Sequence, residues 1–486
     1  MKYLLGVDIG GTNLKAALFS AAGDEIASAG VQTPLQIHDG VFQERDMDTL
    51  WQKAGEAIRR AIEKAGIEPG AIAAVGCTGH GKGLYAWGKD DKPCGCAIAS
   101  TDRRAEAIAD AWVQNGTAAK AKELTMQTVI ACQPAALLAW LKQEKPEQYA
   151  NIRWVFEAKD YIRFRLTGEA FAEYTDSSGT SLLNLHTMTY DKRILDIFGI
   201  PEMETCLPPL KNAGDVCGHV TPEAAALTGL PEGIPVCGGM FDIDACALAL
   251  QVTSDDTVAI ITGTWSINEY ITTQPLPPSI QMQHSLYCIP GYYLMEESSP
   301  TSAGNLEWIM TTLLGMGDNA YEEINELVAS TDPADAQVLF YPFLYGSNSP
   351  VLHDAAFIGL NNGHTRADIL RAVYEGVVFS HKQHIDKLLA NRDIPAHFRI
   401  AGGAVNSDVW MQMFADVIGH PVETTTANTP GPLGCAIAAA VSCGLYANYE
   451  EAVQAMVQVK KVFTPDLART AVYTKKYQLY RQYSQK

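Results

Sequence analysis

The residues with chemical potential in this chain gather where paired glycines meet carboxylates and hydroxyls. Near the middle, residues 234–250 read as an apolar strand, two glycines, Met-Phe, then Asp242 and an Ala/Leu-rich run of buried-helix character. An ionised carboxylate at a helix N-terminus, among apolar neighbours that limit water, has the setting of a general base. Asp242 and Asp244 are also ordinary helix caps, and in isolation a cap is the simpler reading; of the two, Asp244, two residues into the helical run, reads better as a first-turn acid that complements the helix dipole. At the start of the chain, Asp8-Ile9-Gly10-Gly11-Thr12-Asn13 lies between two apolar runs. Its glycines let backbone amides approach an anion, Asp8 can hold Mg²⁺ through water, and Thr12 can donate to a phosphate oxygen. A tight turn without a ligand is the plain alternative.

The same form recurs after residue 251: an apolar run at 257–261, the turn Thr262-Gly263-Thr264, and a returning run at 267–272. Two such units at the starts of two halves suggest duplicated domains facing one cleft. Further on, the run 398–401 enters Gly402-Gly403-Ala404-Val405-Asn406, followed by a helical pattern over 408–418. Strand, double glycine and helix can bring backbone against a flat ligand such as a nucleoside, and a bare strand-to-helix turn has comparable weight. Residues 76–83 almost spell a P-loop, but Gly83 stands where Ser or Thr must ligate Mg²⁺ and the sequel reads as a strand. With that reading rejected, His80 and Lys82 are left to line a polar pocket. Asp102-Arg103-Arg104 reads by default as a helix cap with first-turn residues. As a site, the carboxylate would accept bonds from vicinal hydroxyls while an arginine fixes the geometry.

These groups need a scaffold of some size. At 486 residues the chain exceeds what one core supports, so two or three domains are expected, with a division near 250 into 1–250 and 251–486. Helical spacing over residues 47–65 ends at Gly66, and long helical patterns cover 366–389 and the Ala-rich run after Gly431; residues 275–278 read as a loop, and 473–483 as a basic, Tyr-rich tail helix that is packed and solvated. A net charge of −19 disfavours nucleic acid and anionic membrane as partners. Neither a signal peptide nor a bilayer-length apolar run is visible, and eleven cysteines without paired ligand spacing read as cytosolic thiols, so a cytoplasmic setting is expected. The oligomeric state stays open, a homodimer included.

Taken together, these elements resemble the FGGY carbohydrate kinases from end to end. The resemblance is carried by residues 8–13, 79–83, Thr101-Asp102-Arg103, Lys159-Asp160-Tyr161 with Leu166-Thr167-Gly168, and 238–242. The second half adds 262–264, Ala303-Gly304, 359–376 and Gly402-Gly403. It implies an α/β chain of two duplicated actin-like, ribonuclease H-like domains flanking a catalytic cleft, and ATP-dependent phosphorylation of a sugar or polyol hydroxyl with Mg·ATP between the domains. It also implies roles: Asp242 as base, Asp8 on the metal side, and Gly10, Gly11, Thr12, Asn13 and Lys15 on phosphate. Thr262, Gly263, Thr264 and Gly304 would face phosphate from the other half, with Gly402, Gly403 and Asn406 flanking the nucleoside. Lys82, His80, Asp102, Arg103 and Asp242 would meet the sugar. Catalysis of this kind is mostly positioning and charge stabilisation. His80-Gly81-Lys82-Gly83 departs from the glycerol kinase and D-xylulose kinase patterns. With Ser100-Thr101-Asp102-Arg103-Arg104 and Met240-Phe241-Asp242 it looks most like bacterial L-xylulose kinases. A terminal hydroxyl of a pentulose, L-xylulose foremost, is the expected acceptor. The alternatives are another ketose or polyol (D-xylulose, ribulose, erythritol, glycerol) or a non-catalytic sugar- or nucleotide-binding regulator.

Overall fold

The computed structural model describes residues 2–275, 282–317, 320–335, 337–347, 354–390 and 392–484. The loop expected at 275–278 lies, apart from Pro275, outside them. Two compact units are present: the first comprises Met1–Thr253, Ile271–Leu294 and Ala427–Val457, the second Ser254–Tyr270, Met295–Thr426 and Gln458–Lys486.

In the first unit, β1 (Tyr3–Ile9), β2 (Asn13–Ser20) and β3 (Glu25–Gln32) form an antiparallel meander. Helix α1 (Met47–Ala65) follows, with the boundaries its apolar spacing predicts. Asp46 caps it by accepting from the Thr49 amide at 2.7 Å, and Gly66 ends it at φ 60°, a conformation that favours glycine. Its buried face, including Leu50, Trp51, Ala54 and Ile58, packs in one core with Leu5, Val7 and Ile9. Strand β4 (Ile72–Gly79) lies parallel to β1 and brings Thr78 beside Asp8. After short strands and four helices over residues 85–156, the elements that bear on the site are α2 (Ala158–Thr167) and the short α3 (Tyr174–Ser178), and further along β5 (Val216–His219), β6 (Pro235–Cys237), β7 (Met240–Phe241) and α4 (Asp242–Ala249). The sheet order is β5-β6-β4-β1-β2-β3, with β7 also paired to β4.

The second unit restarts the plan with the hairpin β8 (Thr257–Thr262) and β9 (Ser266–Thr272), followed by β10 (Tyr293–Ser299) and the 23-residue helix α5 (Arg366–Leu388). Strand β11 (His397–Gly402) runs parallel to β8 and sets Gly402 opposite Thr262. A 3₁₀ turn, Gly403–Asn406, leads into α6 (Asp408–Ile418) and β12 (Val422–Thr425). The chain then supplies α7 (Pro430–Ser442) to the first unit before β13 (Val459–Phe463) and the terminal helix α8 (Leu467–Ser484) complete the second. Within the second sheet β10-β9-β8-β11-β12-β13 are successive neighbours. Hairpin first and parallel strand next is the order in both units, as the repeated turns suggest. The tail helix is longer than expected and buries Tyr473, Tyr477 and Tyr480.

Helix α7 fixes the strands that carry the first unit's polar groups. A Cβ on Gly6 of β1 would stand 1.9 Å from the Pro432 carbonyl oxygen, one on Gly76 of β4 2.4 Å from that of Cys435, and one on Gly434 2.2 Å from that of Ala245 in α4. Only glycine permits contact this close, so β1, β4 and α4 share one unyielding backing. No helix among the described residues is long and apolar enough to cross a membrane.

Candidate active site

Asp242 stands where β6 turns through two glycines into α4. Gly239 is left-handed at φ 72°, and a Cβ there would meet the Cys77 carbonyl oxygen at 1.9 Å, so this turn admits only glycine. The two residues before Asp242 are tied down on both sides. The Met240 carbonyl accepts from the Thr78 hydroxyl at 2.7 Å, and the Phe241 amide donates to the Thr175 hydroxyl at 2.8 Å. That hydroxyl donates onward to Glu173 at 2.6 Å, and Glu173 faces Lys159 at 3.4 Å.

Phe241 occupies the cap position and Asp242 is the first helical residue, so Asp242 is not the N-cap that its type would suggest. Its carboxyl is pushed well above the usual carboxylate range by burial first, then by Asp8 and Asp176, with Lys82 opposing. A carboxylate so placed binds a proton more tightly than a solvated one, which is what a general base requires. Asp244 lies in the first turn, as expected, but its buried carboxylate accepts from the Cys288 amide at 3.0 Å and braces that segment.

Asp8, next to last in β1, lies opposite Lys15 of β2. Burial raises its pKa to about 6 against the pull of Lys15. Gly431 faces it so closely that a Cβ would lie 2.8 Å from Oδ2. The turn closes through the Gly10 amide on the Asn13 carbonyl at 3.1 Å, leaving Gly11, Thr12 and Asn13 exposed, while Arg45 donates to the Gly11 carbonyl. Among the described residues no three His, Cys, Asp or Glu side chains form a metal cage. A magnesium nucleotide needs none, because Mg²⁺ takes one or two carboxylates and completes its shell with water and phosphate. Asp8, beside the space that Gly431 leaves, suits that donor set.

The sugar-side candidates divide. His80 is buried with Nε2 3.0 Å from the Tyr85 hydroxyl, and burial, reinforced by Arg45, lowers its pKa to about 4, so it is neutral at pH 7. Lys82, in a left-handed conformation at φ 66°, places its ammonium 5.7 Å from the centre of the Phe241 ring, immediately before Asp242. Asp102 is 1% exposed and its acceptor sites are filled. Oδ2 takes the Gln43 amide at 2.7 Å, Oδ1 takes the Arg104 amide at 2.8 Å, and the Arg104 guanidinium grips both oxygens at 2.9 and 2.8 Å. Asp102 therefore shapes the loop and has no free oxygen for a sugar hydroxyl. Arg103 lies at the surface, paired with Glu106 at 2.7 Å. The arginine that fixes geometry is its neighbour Arg104, which also meets Glu44 at 2.8 Å and packs on Phe42 and Trp140.

In the second unit, Thr262, Gly402 and Gly403 meet at the ends of β8 and β11. The Thr262 hydroxyl donates to the Ala401 carbonyl at 2.9 Å and accepts from the Ala404 amide at 3.3 Å. Gly402 is left-handed at φ 101°, and its Cβ would lie 2.4 Å from the Thr262 carbonyl oxygen. Gly304 abuts Thr264, its ideal Cβ 3.9 Å from that residue's Cα, and Asn406 donates to the Gly403 carbonyl at 3.3 Å. Gly263, Thr264, Gly403 and Asn406 all retain exposure. Backbone amides and hydroxyls thus ring one end of this sheet.

One cluster carries charge that composition alone did not place. Lys159 sits at 2.9 Å from Asp160 and 2.8 Å from Asp176, and Arg163 at 2.8 Å from Asp160, all at most 1% exposed. Glu157 lies beside them, its carboxyl raised by burial and by Asp176 and Asp160. The available signal was a helix too charged for its buried setting: Glu157, Lys159, Asp160 and Arg163 crowd a segment of seven residues.

Residues 3–249 match the N-terminal domain of the FGGY family of carbohydrate kinases and residues 258–443 match its C-terminal domain. The chain belongs to that family. This kinase is 39% identical over 485 residues to the L-xylulose/3-keto-L-gulonate kinase of Escherichia coli, covering 99% of this chain and 96% of the relative. It is 36% identical to a probable L-xylulose kinase of Pasteurella multocida, over 99% and 98% of the two chains. The crystal structure of ligand-bound xylulose kinase from Lactobacillus acidophilus superposes with a TM-score of 0.90 at 26% identity, over 99% and 98%. The α/β architecture is accordingly the actin-like pair of this family, and the kinase is a sugar phosphotransferase that takes ATP as a substrate.

Proposed function

We propose that the kinase transfers the γ-phosphoryl group of Mg·ATP to a terminal hydroxyl of a pentulose, L-xylulose foremost. The observation that carries the chemistry is Asp242: a shielded carboxylate at the start of α4, with both preceding residues anchored and Lys82 close by. The substrate rests on the relatives named L-xylulose kinase. Asp242 draws the proton from the attacking hydroxyl as its oxygen forms a bond to phosphorus and the bond to ADP breaks. Lys82 and neutral His80 orient the sugar. Asp8 and the turn 10–13, with Lys15, hold the metal-bound phosphates, and Mg²⁺ when bound neutralises phosphate charge. Thr262, Gly263, Thr264 and Gly304 bind phosphate from the second unit, with Gly402, Gly403 and Asn406 at the nucleoside. Residues 1–250 would thus serve sugar and base, and 251–486 the nucleotide. The eleven unbridged cysteines support a cytoplasmic setting.

A coupled ADP-release screen over L- and D-xylulose, ribulose, erythritol, glycerol and 3-keto-L-gulonate tests the acceptor. L-Xylulose should give the highest kcat/KM, and another winner would replace it. Asp242→Asn should abolish transfer while leaving nucleotide affinity within a few-fold. Wild-type turnover in that variant would remove the assigned base, and sugar-independent or absent turnover in the wild type would favour the regulator.

A further inference from the structure

Asp176, on the short helix α3, has one oxygen employed and one idle. The residue is 1% exposed. Oδ2 lies 2.8 Å from the Lys159 ammonium, which is held in turn by Asp160 at 2.9 Å and Glu173 at 3.4 Å. Oδ1 has no hydrogen-bond donor among the described residues. It lies against Gly81: an ideal Cβ there would stand 2.9 Å from Asp176 Oδ1 and 2.7 Å from Phe241 Cε2. The idle oxygen therefore abuts the loop that carries His80 and Lys82, and the ring that immediately precedes Asp242.

A buried carboxylate oxygen left without a donor is costly, and binding sites are where such vacancies persist, because the ligand supplies the missing group. We propose that Asp176 is a sugar-binding, specificity-determining residue whose Oδ1 accepts a hydrogen bond from a non-transferring hydroxyl of the acceptor. This rests on the sugar-kinase reading of the same site and adds to it the residue that counts hydroxyls. Lys159 pins the carboxylate from behind, so the acceptor is preorganised. An ionised carboxylate only accepts. It selects a neutral polyhydroxylated segment and repels a carboxylate at that point of the substrate. The assignment also moves the hydroxyl-reading role from Asp102, whose oxygens are filled, to a residue that has an oxygen free.

The test uses the full chain, ADP-release kinetics and a series of deoxypentuloses, each lacking one non-transferring hydroxyl. In the wild type, one analogue should lose about 10–100-fold in kcat/KM relative to the parent sugar. In Asp176→Ala and Asp176→Asn the parent sugar should suffer a similar loss through KM, with the KM for ATP within about twofold, and the penalty for that one analogue should collapse. The Asn variant keeps the side-chain volume, so it reports on the bond if the Ala variant misfolds. Unchanged sugar KM in the variants, or analogue penalties that persist undiminished, would overturn the assignment while the kinase reading stands. Wild-type enzyme that phosphorylates no pentulose would overturn the functional reading and this assignment with it.

Discussion

Replacing Thr175 by Val keeps the shape of a buried side chain and deletes one hydroxyl. That hydroxyl accepts from the Phe241 amide at 2.8 Å and donates to Glu173 at 2.6 Å. An orphaned buried amide costs about 1–3 kcal/mol, and loss of a bond to a carboxylate adds about 1.5–3 kcal/mol, for a total of about 2.5–6 kcal/mol. Glu173 retains the Thr175 amide at 3.0 Å and the facing Lys159, so the cost should stay within that range. The freed amide adjoins Asp242, and relaxation of the turn would move the candidate base. A displacement on the order of 1 Å can cost about 100-fold in rate, so kcat should fall by about 10–100-fold with the KM for ATP little changed. Thr175→Ser, which restores both bonds, should recover most of the rate. Urea unfolding and steady-state kinetics on the three proteins decide the matter. A stability loss in that range with undiminished kcat would show that the position of Asp242 does not depend on this tether.

Two other consequences follow from single side chains. Arg104→Ala strips a buried guanidinium from Asp102 and Glu44 and should destabilise by about 3–5 kcal/mol, whereas Arg103→Ala removes a surface pair and should cost at most about 1 kcal/mol in the same unfolding assay. Equal effects would contradict the burial that separates these neighbours. His80, depressed from 6.5 to about 4, contributes nothing to pH dependence above 6.5, where folded and unfolded states are both neutral. Between those values only the unfolded chain takes up the proton, so stability falls on acidification, by up to about 3 kcal/mol. The difference in stability between wild type and His80→Gln should shrink by that order from pH 7 to pH 4, and a pH-independent difference would refute the neutral, buried His80.

The local pieces are legible in the order of residues alone. Apolar spacing and a terminal glycine set α1 at Met47–Ala65, and paired glycines between apolar runs marked the turns at Gly10, Gly239 and Gly402. Those signals are legible because helix periodicity and left-handed backbone depend on near neighbours. The duplicated hairpins and the place of Asp242 at the head of α4 were readable for the same reason. Which polar groups are already satisfied is a matter of packing between distant segments. Asp102 and Asp176 are both aspartates near a turn, yet the first is saturated by Arg104 and Gln43 while the second keeps an oxygen idle. Arg103 and Arg104 are adjacent and identical in type, and only packing against Phe42 and Trp140 tells the buried one from the exposed. Asp244 looked like a helix-dipole acid until its partner, the Cys288 amide from a distant segment, was placed. Hydrogen-bond satisfaction and desolvation are set by contacts between segments far apart in the chain, and no local spacing encodes them.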